Sequence, residues 1–135
     1  MTAEGRRYAA AAELRLAAEE LASAELLLAS GQTRVAVARI YFAAFHAARA
    51  RLYAAGLEPK THGGAQHLFN VTFVKSGKYE ASLSQMLARL QKYREEADYS
   101  AAFVIDEATV RDELAIARKF VERMRNDVAV ETGPS

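Results

Sequence analysis

The first residues that could carry chemistry are basic and repeat at helical spacing within one alanine-rich segment. Arg39 and His46 are seven residues apart, close to two helical turns, so both project from the same face of a helix, and Arg49 follows one turn later. Phe42 and Tyr53 lie between and beyond these residues, and cations interleaved with aromatic rings can hold a phosphate and stack a base. The alternative is structural, because a helix in a bundle also uses such residues to pair with acids on its neighbour.

A second set of candidate residues is the segment from Arg94 to Tyr99. Arg94 and Asp98 have the i, i+4 spacing at which side chains touch on a helix. Tyr99 follows directly and supplies a hydroxyl group that can donate a hydrogen bond or accept a transferred group. The alternative is an ordinary surface ion pair, which stabilises a helix by only about 0.3–0.5 kcal/mol.

The third candidate is the sequence Lys-Thr-His-Gly-Gly at residues 60–64, which leads into a short helix. Backbone N–H groups at a helix N-terminus can bind an anion, and glycine lets a phosphate approach closely. His62 could also act as an acid or base if its pKa lies near neutrality. The alternative is that Thr61 or His62 only caps the helix.

Other kinds of chemistry lack the residues that they need. The chain of 135 residues has no cysteine, which excludes a disulfide framework, a thiolate zinc site and a cysteine nucleophile. Its three histidines lack the spacing of a zinc site, and no glycine-rich phosphate loop, catalytic triad or carboxylate pair is recognisable, so we expect neither a metal nor another cofactor. The net charge is only +1, but the stretch from Leu26 to Leu57 holds four arginines and no acid. This local charge indicates either an anionic partner at one face or arginines that solubilise a very apolar helix.

Helices must position these residues, because strong helix formers dominate the sequence and only two prolines occur. Apolar residues recur at intervals of three and four, the period of a helix that buries one face. The pattern predicts helices at about residues 2–30, 33–55, 63–75, 79–98 and 106–128, with Thr2 and Asp106 as N-caps and Gly31 after the first helix. Short connections between long helices favour antiparallel neighbours, so the predicted fold is all-α, an antiparallel bundle of four to five helices.

The sequence also predicts the extent of the domain, its location in the cell and its oligomeric state. We expect one helical domain over residues 1–130 and a C-terminal tail at residues 131–135 that frays. No apolar run approaches the ~20 residues of a membrane span, and acids interrupt the N-terminal segment where a signal peptide would be apolar, so we expect a cytoplasmic protein without a membrane partner. The second helix is apolar on both sides and the first is rich in alanine, which leaves more apolar surface than one small bundle needs and predicts a homodimer.

Four segments, taken in order, resemble the small stand-alone proteins of the HEPN family. Residues 34–50 resemble the second helix of those proteins, with the aromatic pair Tyr41-Phe42 and then Phe45-His46. Pro-Lys-Thr-His-Gly at residues 59–63, Phe-Val-Lys-Ser-Gly at residues 73–77 and Arg-x-x-Ala-Asp-Tyr at residues 94–99 follow in the expected order. The resemblance extends over about residues 8–128, nearly the whole chain.

The resemblance implies a helical bundle that is usually dimeric. The wider family includes metal-independent endoribonucleases, among them toxins, and many members occur beside a minimal nucleotidyltransferase that serves as antitoxin. The ribonuclease motif of the family is an arginine, four to six further residues and a histidine, on the helix that corresponds to the fourth one here. Arg94 occupies the arginine position, but Asp98 and Tyr99 stand where the histidine is expected, and a carboxyl group of unperturbed pKa ~3.9 cannot replace an imidazole of ~6.5. A literal match, Arg39-x6-His46, lies on the second helix instead.

We therefore predict a HEPN-like protein that binds a nucleotide or an RNA and is the partner of a minimal nucleotidyltransferase in a toxin–antitoxin type of pair. One alternative is an endoribonuclease toxin that uses Arg39, His46, His62 or Arg94 in a rearranged site, and another is a non-catalytic interaction module with an internal ion-pair network. In the predicted site the arginines neutralise phosphate and Asp98 holds Arg94. Tyr99 donates a hydrogen bond or, by resemblance to toxins modified by their partner, accepts a nucleotidyl group. Six residues are expected to converge on this one polar cleft: Arg39, His46, His62, Arg94, Asp98 and Tyr99.

Overall fold

Five α-helices make up nearly all of the structure, a computed structural model that describes residues 1–133. The helices are α1 (Ala3–Ala29), α2 (Thr33–Ala54), α3 (His62–Phe69), α4 (Ala81–Tyr99) and α5 (Glu107–Thr132). Residues 1–133 contain no β-strand, which confirms the all-α prediction. Over the same residues, no helix is both long enough and apolar enough to span a membrane.

The ends of the long helices follow from local chemistry. The Thr2 hydroxyl oxygen accepts a hydrogen bond of 2.9 Å from the N–H of Gly5, and the Asp106 carboxylate accepts one of 2.7 Å from the N–H of Thr109. Each satisfies a backbone donor that the first turn of a helix leaves without a partner. Gly31 has a φ of 77°, the left-handed conformation that ends a helix without a steric penalty for glycine. The predicted caps of α1 and α5 are confirmed.

Helix α2 is the centre of the bundle, because it packs against each of the other four helices. Val37, Ile40, Tyr41 and Leu52 have no exposed surface, so its apolar residues are covered on several sides. Helix α1 approaches it closely through fully buried alanines, including Ala17. The hydrophobic core draws on all five helices.

Ion pairs between α1 and α2 show the direction of the two helices. Glu13 pairs with Arg49, and Glu20, further along α1, pairs with Arg39, which lies earlier on α2. The order is reversed, so the two helices run antiparallel. Each pair also fixes the register of one helix against the other.

The third predicted helix, at about residues 63–75, is divided. Helix α3 ends at Phe69, and residues Asn70–Val74 continue as a wider π-helical turn in which the N–H of Lys75 donates to the carbonyl oxygen of Asn70 at 2.8 Å. Three of the five residues in this turn are β-branched, and such side chains crowd the preceding turn of an α-helix. Tyr79 does not begin α4 as predicted but is buried, with its ring stacked 5.7 Å from that of Phe69.

Helix α5 extends further than the sequence pattern indicates. It continues through Glu131 to Thr132, past the predicted end at about residue 128. The Arg7 guanidinium donates a hydrogen bond of 2.8 Å to the carbonyl oxygen of Thr132, so α1 holds the last turn in place. Pro134 and Ser135 of the predicted tail lie outside the described residues, and fraying of that segment stays a prediction.

Candidate functional site

The half-buried ring of Phe42 lies within 6 Å of two guanidinium groups that come from different helices. The Arg39 Cζ atom lies 4.9 Å from the ring centroid and the Arg94 Cζ atom lies 5.7 Å from it. Arg39 is one turn before Phe42 on α2, whereas Arg94 reaches the ring from α4. The Arg34 guanidinium donates a hydrogen bond of 2.6 Å to the carbonyl oxygen of Ala97, which ties the end of α4 to the start of α2. Antiparallel packing of α4 on α2 thus brings two cations to one aromatic surface.

His62 joins this surface from the first residue of α3. Its imidazole stacks on the Phe45 ring with a centroid distance of 4.0 Å and an interplanar angle of 8°, and its Nδ1 atom lies 3.1 Å from the Tyr41 hydroxyl. We call this set of side chains the cationic cluster; its members are Arg39, Tyr41, Phe42, Phe45, His62 and Arg94.

Protonation in the cationic cluster is set by burial and by neighbouring charge. Burial raises the pKa of Tyr41, so its phenol stays protonated. Desolvation lowers the pKa of His62, and the nearby charges of Arg94, Arg49 and His46 lower it further. At neutral pH a protonated phenol therefore faces a neutral imidazole, and one hydrogen bond joins the Tyr41 hydroxyl group and Nδ1.

Two acids of α1, which sequence reasoning missed, contact the basic face of α2. The Glu13 carboxylate lies 2.6 Å from Nδ1 of His46 and 3.7 Å from Arg49, and the Glu20 carboxylate lies 3.1 Å from Arg39. The signal in the sequence was spacing, because Glu13 and Glu20 repeat at the same interval of seven residues as Arg39 and His46. Acids and bases at matching intervals on two antiparallel helices are expected to form a series of ion pairs, which we call the ladder.

His46 belongs to this ladder and touches the cationic cluster only at its edge. Its ring centroid lies 5.4 Å from that of Phe45, the ring on which His62 stacks. Its side chain is 18% exposed and its partner Glu13 is 12% exposed, so most of this pair is removed from solvent.

Asp98 and Tyr99 relate to the cluster in different ways. The Asp98 carboxylate contacts the Arg94 guanidinium at 3.4 Å, a long hydrogen bond, and the Asp98 side chain is 43% exposed. Tyr99 is 81% exposed at the last residue of α4. The structure thus brings Arg39, His62 and Arg94 together, attaches His46 through Phe45 and Asp98 through Arg94, and leaves Tyr99 outside the cluster.

The loop before α3 uses its polar groups for capping. The Thr61 hydroxyl oxygen accepts a hydrogen bond of 2.8 Å from the N–H of Gly64, so this donor is occupied rather than free for an anion. Of the two interpretations of residues 60–64, the structure thus has Thr61 as a cap, while His62 contributes through its ring. In residues 1–133 no group of three or more acidic and imidazole side chains is arranged to hold a metal ion.

Comparison with known proteins identifies the family. The family model described as the HEPN domain matches residues 10–127, which is most of the chain and agrees with the resemblance seen in the sequence. A protein of Thermotoga maritima named "UPF0332 protein" is 36% identical, over 80% of this chain and 82% of that protein.

Two archaeal relatives carry functional names. The Methanocaldococcus jannaschii protein "Putative toxin MJ0605" is 33% identical over 83% of each chain. A second protein of that organism, "Putative toxin MJ0142", is 32% identical over 66% of this chain and 60% of its own length.

Proposed function

The chain belongs to the HEPN domain family, and from this premise we propose that it is a toxin-type HEPN protein that binds RNA or a nucleotide at the cationic cluster. The observation that carries the proposal is the pair of guanidinium groups, Arg39 and Arg94, which share the Phe42 ring within 6 Å. Guanidinium groups bind phosphate oxygens in a bidentate manner, and adjoining ring surfaces can stack a base. The names of two relatives as toxins agree with this function.

The proposed partner is a minimal nucleotidyltransferase that acts as antitoxin. Tyr99 is suited to be modified by such an enzyme, because its phenol is 81% exposed at the end of α4, beside Asp98. In the reaction the phenol oxygen attacks the α-phosphorus of a nucleoside triphosphate, the phenol proton is lost and pyrophosphate leaves. The product carries a nucleotidyl group one residue after Asp98, the acid that contacts Arg94, and we propose that this group hinders ligand access to Arg94. We further propose that the protein is a homodimer, since Tyr8 and Leu26 of α1 are 78% and 72% exposed.

A second candidate function, a metal-independent endoribonuclease, is favoured by one specific contact. The Glu13 carboxylate lies 2.6 Å from Nδ1 of His46, an arrangement that orients an imidazole for proton transfer at its other nitrogen. His62 would be the second proton-transfer group, and Arg39 and Arg94 would neutralise the phosphodiester. The site would then combine residues of α2, α3 and α4, whereas the family motif lies on the fourth helix alone.

The test distinguishes a cluster that binds RNA or a nucleotide from an ion-pair network that only stabilises the fold. Arg39 and Arg94 are replaced by Met one at a time, and affinity for a fluorescein-labelled single-stranded oligoribonucleotide is measured beside the melting temperature. We expect each variant to lose on the order of tenfold in affinity while melting within a few degrees of the wild type. Arg111→Met is the matched control, because Arg111 forms an i, i+4 pair with Glu107 away from the cluster.

The structural interaction module would be supported instead if the arginine variants showed a large fall in melting temperature and the wild type bound neither RNA nor nucleotide. Cleavage of the labelled strand by the wild type in the presence of a chelator, lost in His46→Ala, would favour the endoribonuclease. For the partner, we expect expression to arrest growth and a neighbouring nucleotidyltransferase gene to relieve the arrest. A mass increase of one nucleotidyl group, absent in Tyr99→Phe, would locate the modification.

A further inference from the structure

The cations around the cluster differ in how firmly their carboxylates hold them. The Glu13–His46 contact is short, at 2.6 Å, and largely buried. The Asp98–Arg94 contact is 3.4 Å long, and its acid is 43% exposed. Arg94 also has a buried Nε atom without a hydrogen-bond partner in the described structure. Because solvated, poorly aligned pairs are weak, Asp98 can be displaced from Arg94 at small cost, whereas Glu13 stays with His46.

The ring surfaces of the cluster also differ in accessibility. Phe42 has Arg39 and Arg94 against it, and Phe45 is buried beneath the imidazole. His62 is an exposed residue even though its ring lies parallel to Phe45 at 4.0 Å. Phe45 covers one face of the imidazole, and the rings of Tyr41 and Phe42 lie 6.2 and 6.0 Å away. A ligand ring that stacks on His62 must therefore use the face opposite Phe45.

The hydrogen bond between Tyr41 and His62 fixes the orientation of this surface. Tyr41 is fully buried, so its hydroxyl group holds a set position, and its distance of 3.1 Å to Nδ1 restricts rotation of the His62 ring. The ring is thereby ordered before any ligand arrives, which removes part of the entropic cost of binding.

We propose that His62 is the nucleobase platform of the site. A base stacks on the face of the imidazole opposite Phe45, so that Phe45, His62 and the base form a stack of three rings. The phosphate of the same nucleotide takes the place of the Asp98 carboxylate at Arg94. Arg39, whose guanidinium lies 4.9 Å from the same Phe42 ring and pairs with Glu20 at 3.1 Å, adds a second positive charge near that phosphate. The ligand class is a single-stranded nucleotide unit, either free or within RNA. This inference rests on the proposed function and adds where the base and the phosphate bind.

The experiment tests the nucleotide and its two parts separately, and it tests each against variants of the protein. Adenosine 5′-monophosphate, ribose 5-phosphate and adenosine are each titrated by calorimetry against the wild type, His62→Ala, His62→Phe and Arg94→Met. We expect His62→Ala to weaken the nucleotide on the order of tenfold and to leave ribose 5-phosphate unchanged, because only the base contact is lost. His62→Phe keeps a flat ring and keeps the nucleotide affinity. Arg94→Met weakens both phosphate-bearing ligands and leaves adenosine unchanged.

Two further measurements complete the design. His67, an exposed histidine on the same helix, is the matched control, and His67→Ala should bind all three probes as the wild type does. The chain contains no tryptophan, so His62→Trp introduces a single indole whose fluorescence a stacked adenine quenches and ribose 5-phosphate does not. Titration of a single-stranded oligoadenylate beside the mononucleotide tells whether RNA or the free nucleotide is preferred.

The outcomes are distinct. If the wild type binds RNA or nucleotide but His62→Ala loses nothing, or if ribose 5-phosphate binds as tightly as the nucleotide, the base platform is overturned while the proposed function stands. If the folded wild type binds neither the mononucleotide nor RNA, the proposed function itself fails.

Discussion

The carboxylate of Glu13 lies 2.6 Å from Nδ1 of His46, and this contact joins the first two helices at the edge of the cationic cluster. One oxygen of the carboxylate faces the imidazole and the other faces Arg49 at 3.7 Å. A single acid thus serves two cationic or polar partners, and both of its contacts lie in a partly dehydrated seam. The pair fixes the register of α1 on α2, and with it the positions of Arg39 and Phe42.

Replacing Glu13 by Gln should destabilise the protein more than replacing Glu20 by Gln. The Glu13 pair is shorter and more buried, since Arg39 in the Glu20 pair is 36% exposed. We expect Glu13→Gln to lower the free energy of unfolding by about 1–3 kcal/mol and Glu20→Gln by less than about 1 kcal/mol. Urea denaturation measures both, with Glu107→Gln as a surface control. Equal losses for the two variants would contradict a special role of Glu13.

Arg89 should be necessary for stability, because it neutralises a buried acid. Glu113 is 5% exposed in its side chain and accepts two hydrogen bonds from the Arg89 guanidinium, at 2.6 and 2.8 Å. Arg89→Met leaves this carboxylate buried without its partner, which costs about 3–5 kcal/mol. Arg111→Met, at a surface pair, should cost under about 1 kcal/mol. Thermal unfolding of both variants checks the contrast. A second replacement, Glu113→Gln, should restore much of the stability lost in Arg89→Met.

Tyr79 should make the fold sensitive to alkaline pH. Burial, together with the hydrogen bond that it donates to Asp127, raises the pKa of Tyr79 from 10.0 to about 12. The unfolded chain therefore releases this proton at a lower pH than the folded chain, so the stability that the phenol contributes is present below pH 10 and is lost as pH rises towards 12. Unfolding free energies measured across this range should fall more steeply in the wild type than in Tyr79→Phe. Parallel slopes would contradict the assignment.

The bundle was predictable from the sequence because its helices carry their own signals. Thr2, Asp106 and Gly31 mark helix ends through local chemistry, and the buried stripes follow the helical period. The third helix was less predictable: residues 70–74, three of them β-branched, widen into a π-helical turn. Tyr79 then packs on Phe69 instead of beginning α4, a tertiary contact that the helical period does not reveal.

The sequence predicted which residues form the candidate site better than it predicted how those residues are arranged. Residue type and spacing singled out Arg39, Arg94 and His62, which the structure brings together. The same spacing grouped His46 with Arg39, although His46 is held by Glu13 in the seam between α1 and α2. Sequence alone also could not show that Phe42 lies against two guanidinium groups while His62 is an exposed residue stacked on Phe45, since that depends on how α3 and α4 pack on α2.

The binding site should respond to acid through His62. The groups that face this imidazole are Arg94, Arg49 and His46, whose charges add to desolvation in lowering its pKa, and Tyr41, whose raised pKa keeps it neutral. In the ligand-free protein the neutral imidazole is favoured. Its contribution to stability is therefore complete above the ordinary pKa of 6.5 and declines as pH falls through the lowered pKa.

A bound phosphodiester opposes that shift, because its negative charge stabilises the imidazolium and raises the pKa of His62 in the complex. Affinity for an anionic ligand must then rise as pH falls through the interval between the pKa of the complex and that of the free protein. The dinucleoside monophosphate ApA is a suitable probe, since its single charge does not titrate in this range. We expect its affinity to increase several-fold between about pH 8 and pH 5, up to about tenfold for each unit by which the pKa rises. His62→Phe should bind ApA with little dependence on pH, while His67→Ala should keep the increase. A pH dependence that survives in His62→Phe would assign the titration to another group.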